Sequence, residues 1–340
     1  MNRAIVQAPM SGGPSTPALA AAVSDAGGLG FLAAGYRTAE QLAEDLAETR
    51  RLTAEPFGVN VFAHRSDPAD VTEFARSAGL DAAAARWSDD EYDAKLALLA
   101  EDPPAVVSIT FGLPDPLPSL PSQVWVTVTG VEEARAAAAA GADALVVQGF
   151  EAGGHRGAWV DREGREDIGT LALLALVRAT VDVPLIATGG IADGAGIAAV
   201  LAAGASAAML GTAFLLCSEA ATVPAHREAI ATERPTGLTR AFTGRLARGI
   251  DNAWTRAHPG APIGYPEIHY LTARLRAEAR AAGDADRFNL WAGQAHALAR
   301  AVPAAELVRL LADETRAALE AARGRSASAL PAPTTAKSET

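Results

Sequence analysis

The residue best suited to acid–base chemistry in this sequence is His155, which stands in a glycine-rich loop. The loop follows an apolar run at residues 145–147 and the amide Gln148, a pattern typical of a buried parallel strand leaving a sheet. Glycines let a backbone approach a flat ligand or a phosphate, because no Cβ intervenes. An imidazole there can exchange protons near neutral pH, so the segment predicts a ligand site. Its four glycines are Gly149, Gly153, Gly154 and Gly157.

The elements that must position this loop are short apolar segments alternating with helical ones. Residues 139–145 resemble residues 202–208, and in both a helix ends on Ala-Gly with a strand directly after it. Such repeats indicate βα units on a parallel sheet, and we predict a (β/α)₈ TIM barrel with a small, mostly helical appended lobe. An open doubly wound sheet is the alternative. The predicted strands are 4–8, 29–32, 57–61, 105–109, 124–128, 144–147, 184–187 and 207–210.

The other candidate residues stand where predicted strands end, which in a barrel is the functional rim. Loops after the seventh and eighth strands usually bind phosphate, with a helix N-terminus facing the anion. Amides such as Asn60 and Gln148 could recognise the edge of a heteroaromatic ring. Together these features predict a mononucleotide such as a flavin. The remaining strand-end residues are Ala8, Pro9, Met10, Gly189, Gly190, Met209, Leu210, Gly211 and Thr212.

Composition narrows the function classes further. The 340 residues carry a net charge of −11 with no basic patch among aromatics, which argues against nucleic acid and anionic membranes. No apolar run approaches the ~18 residues of a membrane span, and the N-terminus lacks the apolar region of a signal peptide. Cys217 is the only cysteine. No dinucleotide fingerprint, phosphate-binding P-loop or metal-spaced cluster is present, so we expect a cytoplasmic enzyme or binding protein without a metal.

The chain after the barrel is expected to form three further parts. We predict a barrel over residues 1–221, a lobe over 222–300 that covers the active site, a C-terminal helix over 301–323 that packs on the barrel, and a disordered tail over 324–340. Helices are expected at 224–231 and 269–282, with a loop or short ribbon at 237–252. His64 could approach the rim, and most of the other histidines, His226, His258, His269 and His296, are expected at the surface.

Several segments together resemble the nitronate monooxygenases, an FMN-dependent family also called 2-nitropropane dioxygenases. The resemblance covers roughly residues 1–322 and is carried by residues 8–10 with 27–35, 58–60, 148–157, 188–191 and 209–212, and later by 239–252 and 291–294. The 148–157 segment is the specific one. One departure is Met209-Leu210, where relatives often have Gln-Met before Gly-Thr.

The resemblance implies FMN as cofactor and His155 as the catalytic residue, which abstracts the α-proton of a nitroalkane or holds a nitronate. It implies that Asn60, Gln148 and Gly153 contact the flavin, that Gly190 and residues 209–212 bind its phosphate, and that Ala8, Pro9, Met10, Gly154 and Gly189 complete the cofactor site. The implied reaction oxidises alkyl nitronates, such as propionate 3-nitronate, with dioxygen to carbonyl products and nitrite. A homodimer is a further expectation.

Two other functions remain open from the sequence. The first is an FMN-dependent enoyl-thioester reductase, whose family shares the barrel and a similar glycine-histidine loop but needs NAD(P)H and a carrier-protein surface that is usually basic. The net charge of −11 and the absence of a Lys/Arg cluster count against it. The second is a non-enzymatic binder of a phosphate-bearing ligand, which would give His155 no role.

Overall fold

The computed structural model describes residues 4–63, 67–162 and 167–326 and shows eight parallel strands with helices between them. The strands of the chain are β1 Ile5–Gln7, β2 Phe31–Ala33, β3 Gly58–Phe62, β4 Val106–Thr110, β5 Gln123–Val128, β6 Ala144–Gln148, β7 Gly154–His155, β8 Leu185–Thr188, β9 Ala207–Leu210, β10 Thr236–Thr239 and β11 Ala247–Ile250. The helices are α1 Pro17–Asp25, α2 Ala39–Leu52, α3 Thr72–Ser77, α4 Tyr92–Glu101, α5 Val131–Ala139, α6 Thr170–Arg178, α7 Gly194–Ala202, α8 Pro224–Ile230, α9 Ala253–Ala257, α10 Glu267–Leu271, α11 Ala273–Ala282 and α12 Ala304–Ser326.

The eight barrel strands follow the order β1-β9-β8-β6-β5-β4-β3-β2, and every neighbouring pair is parallel. A parallel bridge between Val6 and Leu29, directly before β2, joins the two ends of this order. The ring is therefore nearly closed, which confirms the predicted barrel over the open sheet. All eight strands lie within two residues of the predicted segments.

Side chains alternate between the two faces of the barrel wall, as a strand period of two requires. On β6, Val146 packs inside the barrel with Phe31 and Trp125, whereas Val147 packs outside against the helices. The repeated Ala-Gly helix ends also take the expected form. Gly27, Gly141 and Gly204 all have positive φ, between +90° and +101°, and each ends a helix immediately before a strand.

The structure refines the sequence-based prediction in three regions. The sequence also predicts a helix over residues 67–78; in the structure this helix spans Thr72–Ser77, and the Asp70 carboxylate accepts the Thr72 N–H at 3.0 Å. The loop or short ribbon expected at 237–252 is an antiparallel ribbon of β10 with β11, and β7 adds a third strand that the sequence did not predict. The loop that holds His155 is therefore part of a small sheet.

The C-terminal helix α12 begins and ends three residues later than expected, and its apolar face packs on α7 and α1. Residues 324–326, predicted to be disordered, belong to this helix, whereas 327–340 lie outside the described residues, as does His64. The division of the chain at residues 221 and 300 stays a prediction. None of the described helices has the length and apolar character that crossing a bilayer requires.

Candidate active site

A cavity opens at the C-terminal ends of the barrel strands, beneath the ribbon and the helices that follow β9. The predicted site residues converge on it, because parallel strands in a closed barrel all end at one rim. Those that line it are Ala8, Pro9, Met10, Asn60, Gln148, Gly153, Gly154, His155, Gly189, Gly190, Met209, Gly211 and Thr212.

Leu210 is the predicted site residue that does not line the cavity. Its side chain is 1% exposed and packs in the layer between strands and helices. The strand period explains this placement, since Met209 points into the barrel and its neighbour must point out. Leu210 contributes through its carbonyl instead, which accepts the Ala8 N–H at 2.8 Å and so ties the loop after β1 to β9.

The backbone of His155 is fixed from two sides. It pairs with Ala247 of β11, and its carbonyl accepts a hydrogen bond from Gln148 Nε2 at 3.0 Å. Gly154 has a φ of +74°, and a Cβ there would meet nothing within 4 Å. Gly153 is required for close packing, since a Cβ would lie 2.5 Å from the Ala292 carbonyl carbon. The glycines thus let the loop bend and pack while leaving open space beside the imidazole.

The imidazole of His155 sits in an aromatic surround. Its Nε2 lies 2.9 Å from Thr243 Oγ1, and the rings of Phe111, Tyr265 and Trp291 lie 5.6 to 5.9 Å away between centroids. Burial, with the positive charges of Arg245 and Arg276, lowers the pKa of His155 to about 3. The resting ring is therefore neutral at physiological pH, and it can exchange hydrogen bonds there or accept a proton from a bound molecule.

The two amides predicted to recognise the flavin ring use their donor groups within the protein. Gln148 Oε1 accepts the Gly157 N–H at 2.8 Å and Arg156 Nη1 at 3.2 Å, so both ends of this amide hold the His155 loop. Asn60 Nδ2 donates to Ser108 Oγ and Thr110 Oγ1, both at 2.9 Å. Both residues line the cavity, but their amide nitrogens face neighbouring strands and loops.

The loops after β8 and β9 present free backbone donors to the cavity. The N–H groups of Gly190, Gly211 and Thr212 donate to no acceptor within residues 4–63, 67–162 and 167–326. A Cβ at Gly211 would lie 3.5 Å from Ala8 Cβ, so the glycine keeps this side open. Unpaired N–H groups around a glycine-lined recess suit a phosphate, so these loops fit the phosphate of FMN.

The helix N-terminus expected to face the phosphate is already occupied. At the start of α7, Gly194 N–H donates to Glu314 and Gly196 N–H donates to Asp193, at 3.1 and 2.8 Å. Two carboxylates at this helix end repel a further anion. The site therefore offers loop amides rather than the first turn of α7.

Several cavity residues were missed from the sequence. Tyr36 and Phe111 follow β2 and β4 and have φ of +68° and +76°, which is rare for bulky residues and common at functional sites. Their position at strand ends was the signal that could have found them. Tyr36 stacks on His269 at 3.8 Å between ring centroids.

The expectation that most of these histidines lie at the surface was wrong for three of them. His226, His269 and His296 are all buried, and His226 lines the cavity with its Nε2 3.1 Å from the Trp291 carbonyl. Burial lowers the pKa of His226 to about 4. No local pattern marks these residues, because the elements that cover them are distant in the sequence.

Comparisons with known proteins identify the family of the chain. A model of the family described as nitronate monooxygenase matches residues 2–314. The chain is 44% identical to a nitronate monooxygenase of Pseudomonas aeruginosa, over 92% of this chain and 96% of that one. It is 42% identical to a nitronate monooxygenase of Paraburkholderia phytofirmans, over 95% of each.

Solved structures are similar as well. The nitroalkane oxidase from Streptomyces ansochromogenes superposes with a TM-score of 0.90 at 49% identity, covering 94% of this chain and 97% of that chain. FabK from Thermotoga maritima gives 0.77 at 28% identity, covering 96% of each, and is the more distant relative. The barrel rim brings a histidine and free loop amides to one cavity. Together with these similarities, this arrangement places the protein among flavin-dependent oxidoreductases, and the chain belongs to the nitronate monooxygenase family.

Proposed function

We propose that this enzyme uses FMN to oxidise alkyl nitronates, such as propionate 3-nitronate, with dioxygen, giving carbonyl products and nitrite. The observation that carries the proposal is the single cavity that brings His155 together with the free amides of Gly190, Gly211 and Thr212. Those amides would hold the phosphate, and the rim from Ala8 to Met10 would flank the cofactor. When bound, FMN would supply the redox chemistry, which takes electrons from the nitronate and passes them to dioxygen.

The charges around the cavity favour an anionic substrate. Arg245 donates to main-chain carbonyls, and Arg276 donates to Thr272 and to His269. Within the described part of the chain, neither guanidinium forms an ion pair with a carboxylate. Their positive charge near His155, which Asp161 offsets only in part, stabilises a nitronate relative to a neutral molecule.

His155 would act on the substrate as a neutral imidazole. With a nitroalkane it can accept the α-proton, and the electron pair of the broken C–H bond then remains on the substrate as the nitronate. With a preformed nitronate it contributes shape and a hydrogen-bonding edge, while the aromatic rings exclude water. Burial is the main cause of its lowered pKa and favours this neutral form.

A second candidate is an enoyl-thioester reductase, supported by the similarity to FabK at 28% identity. The two functions differ in the electron donor. Purified protein is expected to show a flavin spectrum, and anaerobic propionate 3-nitronate should bleach it within a turnover. Bleaching by NADPH alone, with no response to the nitronate, would establish the reductase instead. A colourless protein that cannot be reconstituted with FMN would contradict both functions.

We propose further that the enzyme is cytoplasmic and homodimeric. The charge of −11 and the single buried Cys217 support a reducing compartment. The outer face of α6 supports self-association, because Leu171 and Leu176 are about half exposed there. Light scattering on the purified protein tests the dimer, and Leu176→Glu should shift it toward the monomer; an unchanged mass in both samples at the monomer value would contradict it.

A further inference from the structure

The hydroxyl of Thr243 lies within hydrogen-bond distance of three polar groups but can donate only one hydrogen bond. Its Oγ1 lies 2.9 Å from His155 Nε2, 3.2 Å from the Arg245 carbonyl and 3.4 Å from the Arg245 N–H. A hydroxyl offers one donor and two acceptor positions. The Arg245 N–H can only donate and the carbonyl can only accept, so the hydroxyl proton goes to the carbonyl. The contact with His155 is then one in which the ring nitrogen donates.

The surroundings enforce this arrangement. Thr243 and Arg245 are 2% and 5% exposed, and no other group of the described chain donates to the Arg245 carbonyl. If the hydroxyl turned its proton to the imidazole, that buried carbonyl would lose its hydrogen bond, which is unfavourable. The ring cannot move away from Thr243 easily, because Gln148 and β11 hold the His155 backbone.

The other ring nitrogen of His155 is free. Nδ1 makes no hydrogen bond to any residue in the described ranges, and His155 lines the cavity. In a neutral imidazole with the proton on Nε2, the lone pair lies on Nδ1. The single unoccupied position of the ring is therefore an acceptor.

We infer that Thr243 is a positioning residue that holds His155 in the tautomer protonated on Nε2, so that Nδ1 is the nitrogen that meets the substrate. This inference rests on the proposed function only in giving His155 a substrate. For a nitroalkane, the C–H bond breaks, its electron pair stays on the nitronate, and the proton adds to the Nδ1 lone pair. Thr243 then accepts from the cationic ring through Nε2–H without rearranging.

The test is nitrogen NMR on the purified flavoprotein labelled with ¹⁵N-histidine. The His155 signals are assigned by their loss in His155→Asn. We expect a protonated Nε2 and an unprotonated Nδ1 in the unmodified protein. Thr243→Val keeps the side-chain volume but removes the hydroxyl, and should mix the two tautomers; Thr243→Ser should restore the original pattern. Thr180→Val, at a residue remote from the cavity, is the matched control and should change nothing.

Kinetics give a second measurement. With a nitroalkane, Thr243→Val should lower kcat about tenfold or more, part of the ~10²–10⁴-fold that a positioned base contributes, with little change in KM. Thr243→Ser should recover most of the rate. A protonated Nδ1 in the unmodified protein, or an unchanged tautomer in a folded Thr243→Val variant, overturns the inference. Full activity of His155→Asn would instead refute the proposed role of His155, and the NMR result would stand separately.

Discussion

The two ends of the cavity are built in different ways. The end proposed to bind the phosphate consists of loop backbone directly after β8 and β9, where the amides of Gly190 and Gly211 have no acceptor among the described residues. The opposite wall consists of side chains from distant segments, with Phe111 after β4, Tyr265 before α10 and Trp291 after α11. The first needs only the barrel, whereas the second needs the barrel and the later part of the chain to pack together.

This difference separates binding from chemistry. Backbone amides at a strand end depend little on the neighbouring side chains, so we expect the proposed cofactor end to tolerate sequence change except at its glycines. The imidazole wall depends on each ring and on the ribbon behind it. Substitutions at the wall should therefore alter turnover and leave cofactor binding intact, and substitutions at the loops should do the reverse.

The largest effect is expected at His155. His155→Asn keeps a side chain of similar shape but removes the basic nitrogen, so kcat with a nitroalkane should fall by about 10²–10⁴-fold. The flavin should stay bound, because the loop amides are untouched. Steady-state kinetics with the flavin spectrum measure both quantities.

His258→Asn is the matched control for that variant. His258 bonds to the Trp254 carbonyl and does not line the cavity, so its loss should leave turnover near the original value. Loss of flavin from His155→Asn would break the proposed separation of the two ends, since it would show that the wall also determines cofactor binding.

The second prediction concerns the support behind the aromatic wall. Lys95 is fully buried, pairs with Asp90 at 2.8 Å and donates to the Ala34 carbonyl. Asp90 in turn accepts the Tyr36 N–H and so holds this residue at its positive φ. Lys95→Met should lower the free energy of unfolding by about 3–5 kcal/mol, because it leaves a buried carboxylate unpaired.

Urea denaturation measures this effect, and the exposed pair Arg76–Glu73 provides the control. Both of its side chains are more than 70% exposed, so Arg76→Met should change stability by less than about 1 kcal/mol. The double variant of Asp90→Asn with Lys95→Met should recover part of the loss, because the asparagine oxygen can still accept the Tyr36 N–H. If Lys95→Met and Arg76→Met lowered the free energy of unfolding equally, the buried Lys95–Asp90 pair would not stabilise the fold more than an exposed pair does.

The sequence was sufficient for the parts that local pattern controls. Apolar runs and Ala-Gly helix ends located all eight barrel strands, and the strand-end rule then collected Asn60, Gln148 and the glycines at one rim. Leu210 is the exception at this rim. Side chains alternate along β9, so Leu210 points out of the barrel, and the sequence-based prediction did not take this alternation into account. The predicted contact of Gln148 with the ligand stays a prediction; the structure shows that its amide holds the His155 loop.

The rest could not be found locally. His226 lines the cavity and Tyr265 packs against the His155 ring, both from segments after the barrel, and nothing in their neighbours marks them as buried. The same holds for Lys95, whose partner Asp90 lies five residues away but whose burial depends on α2 and β3. Long-range packing decides these positions, and a charged residue alone gives no sign of it.

The third prediction sharpens the cofactor end. Gly211→Val places a branched side chain toward Ala8 and Met10, whose atoms already lie within 4 Å of the absent Cβ. The Kd for FMN should rise about 10–100-fold, equivalent to about 1.4–2.8 kcal/mol. Titration of FMN into the apoprotein measures it. Gly211→Ala makes only an ordinary contact at 3.5 Å and should bind FMN nearly as well as the original chain. A Gly211→Val variant that binds FMN unchanged would place the phosphate elsewhere.

The smallest effect is the pH dependence that His155 gives to stability. Its pKa is about 3 in the folded protein, against 6.5 in an exposed histidine, so the unfolded chain binds the proton more readily. Stability is therefore unaffected by this group above about pH 6.5 and falls as the pH drops from there toward about pH 3. Between about pH 7 and pH 5.5 the loss should be on the order of 1 kcal/mol.

Urea midpoints at the two pH values should differ less in His155→Asn than in the original protein, because the variant retains only His226 and His269 among the buried histidines whose pKa is lowered. Identical pH slopes in the two proteins would mean that the imidazole is not held in a dry, positively charged wall, and the contrast between the two ends of the cavity would then lose its electrostatic basis.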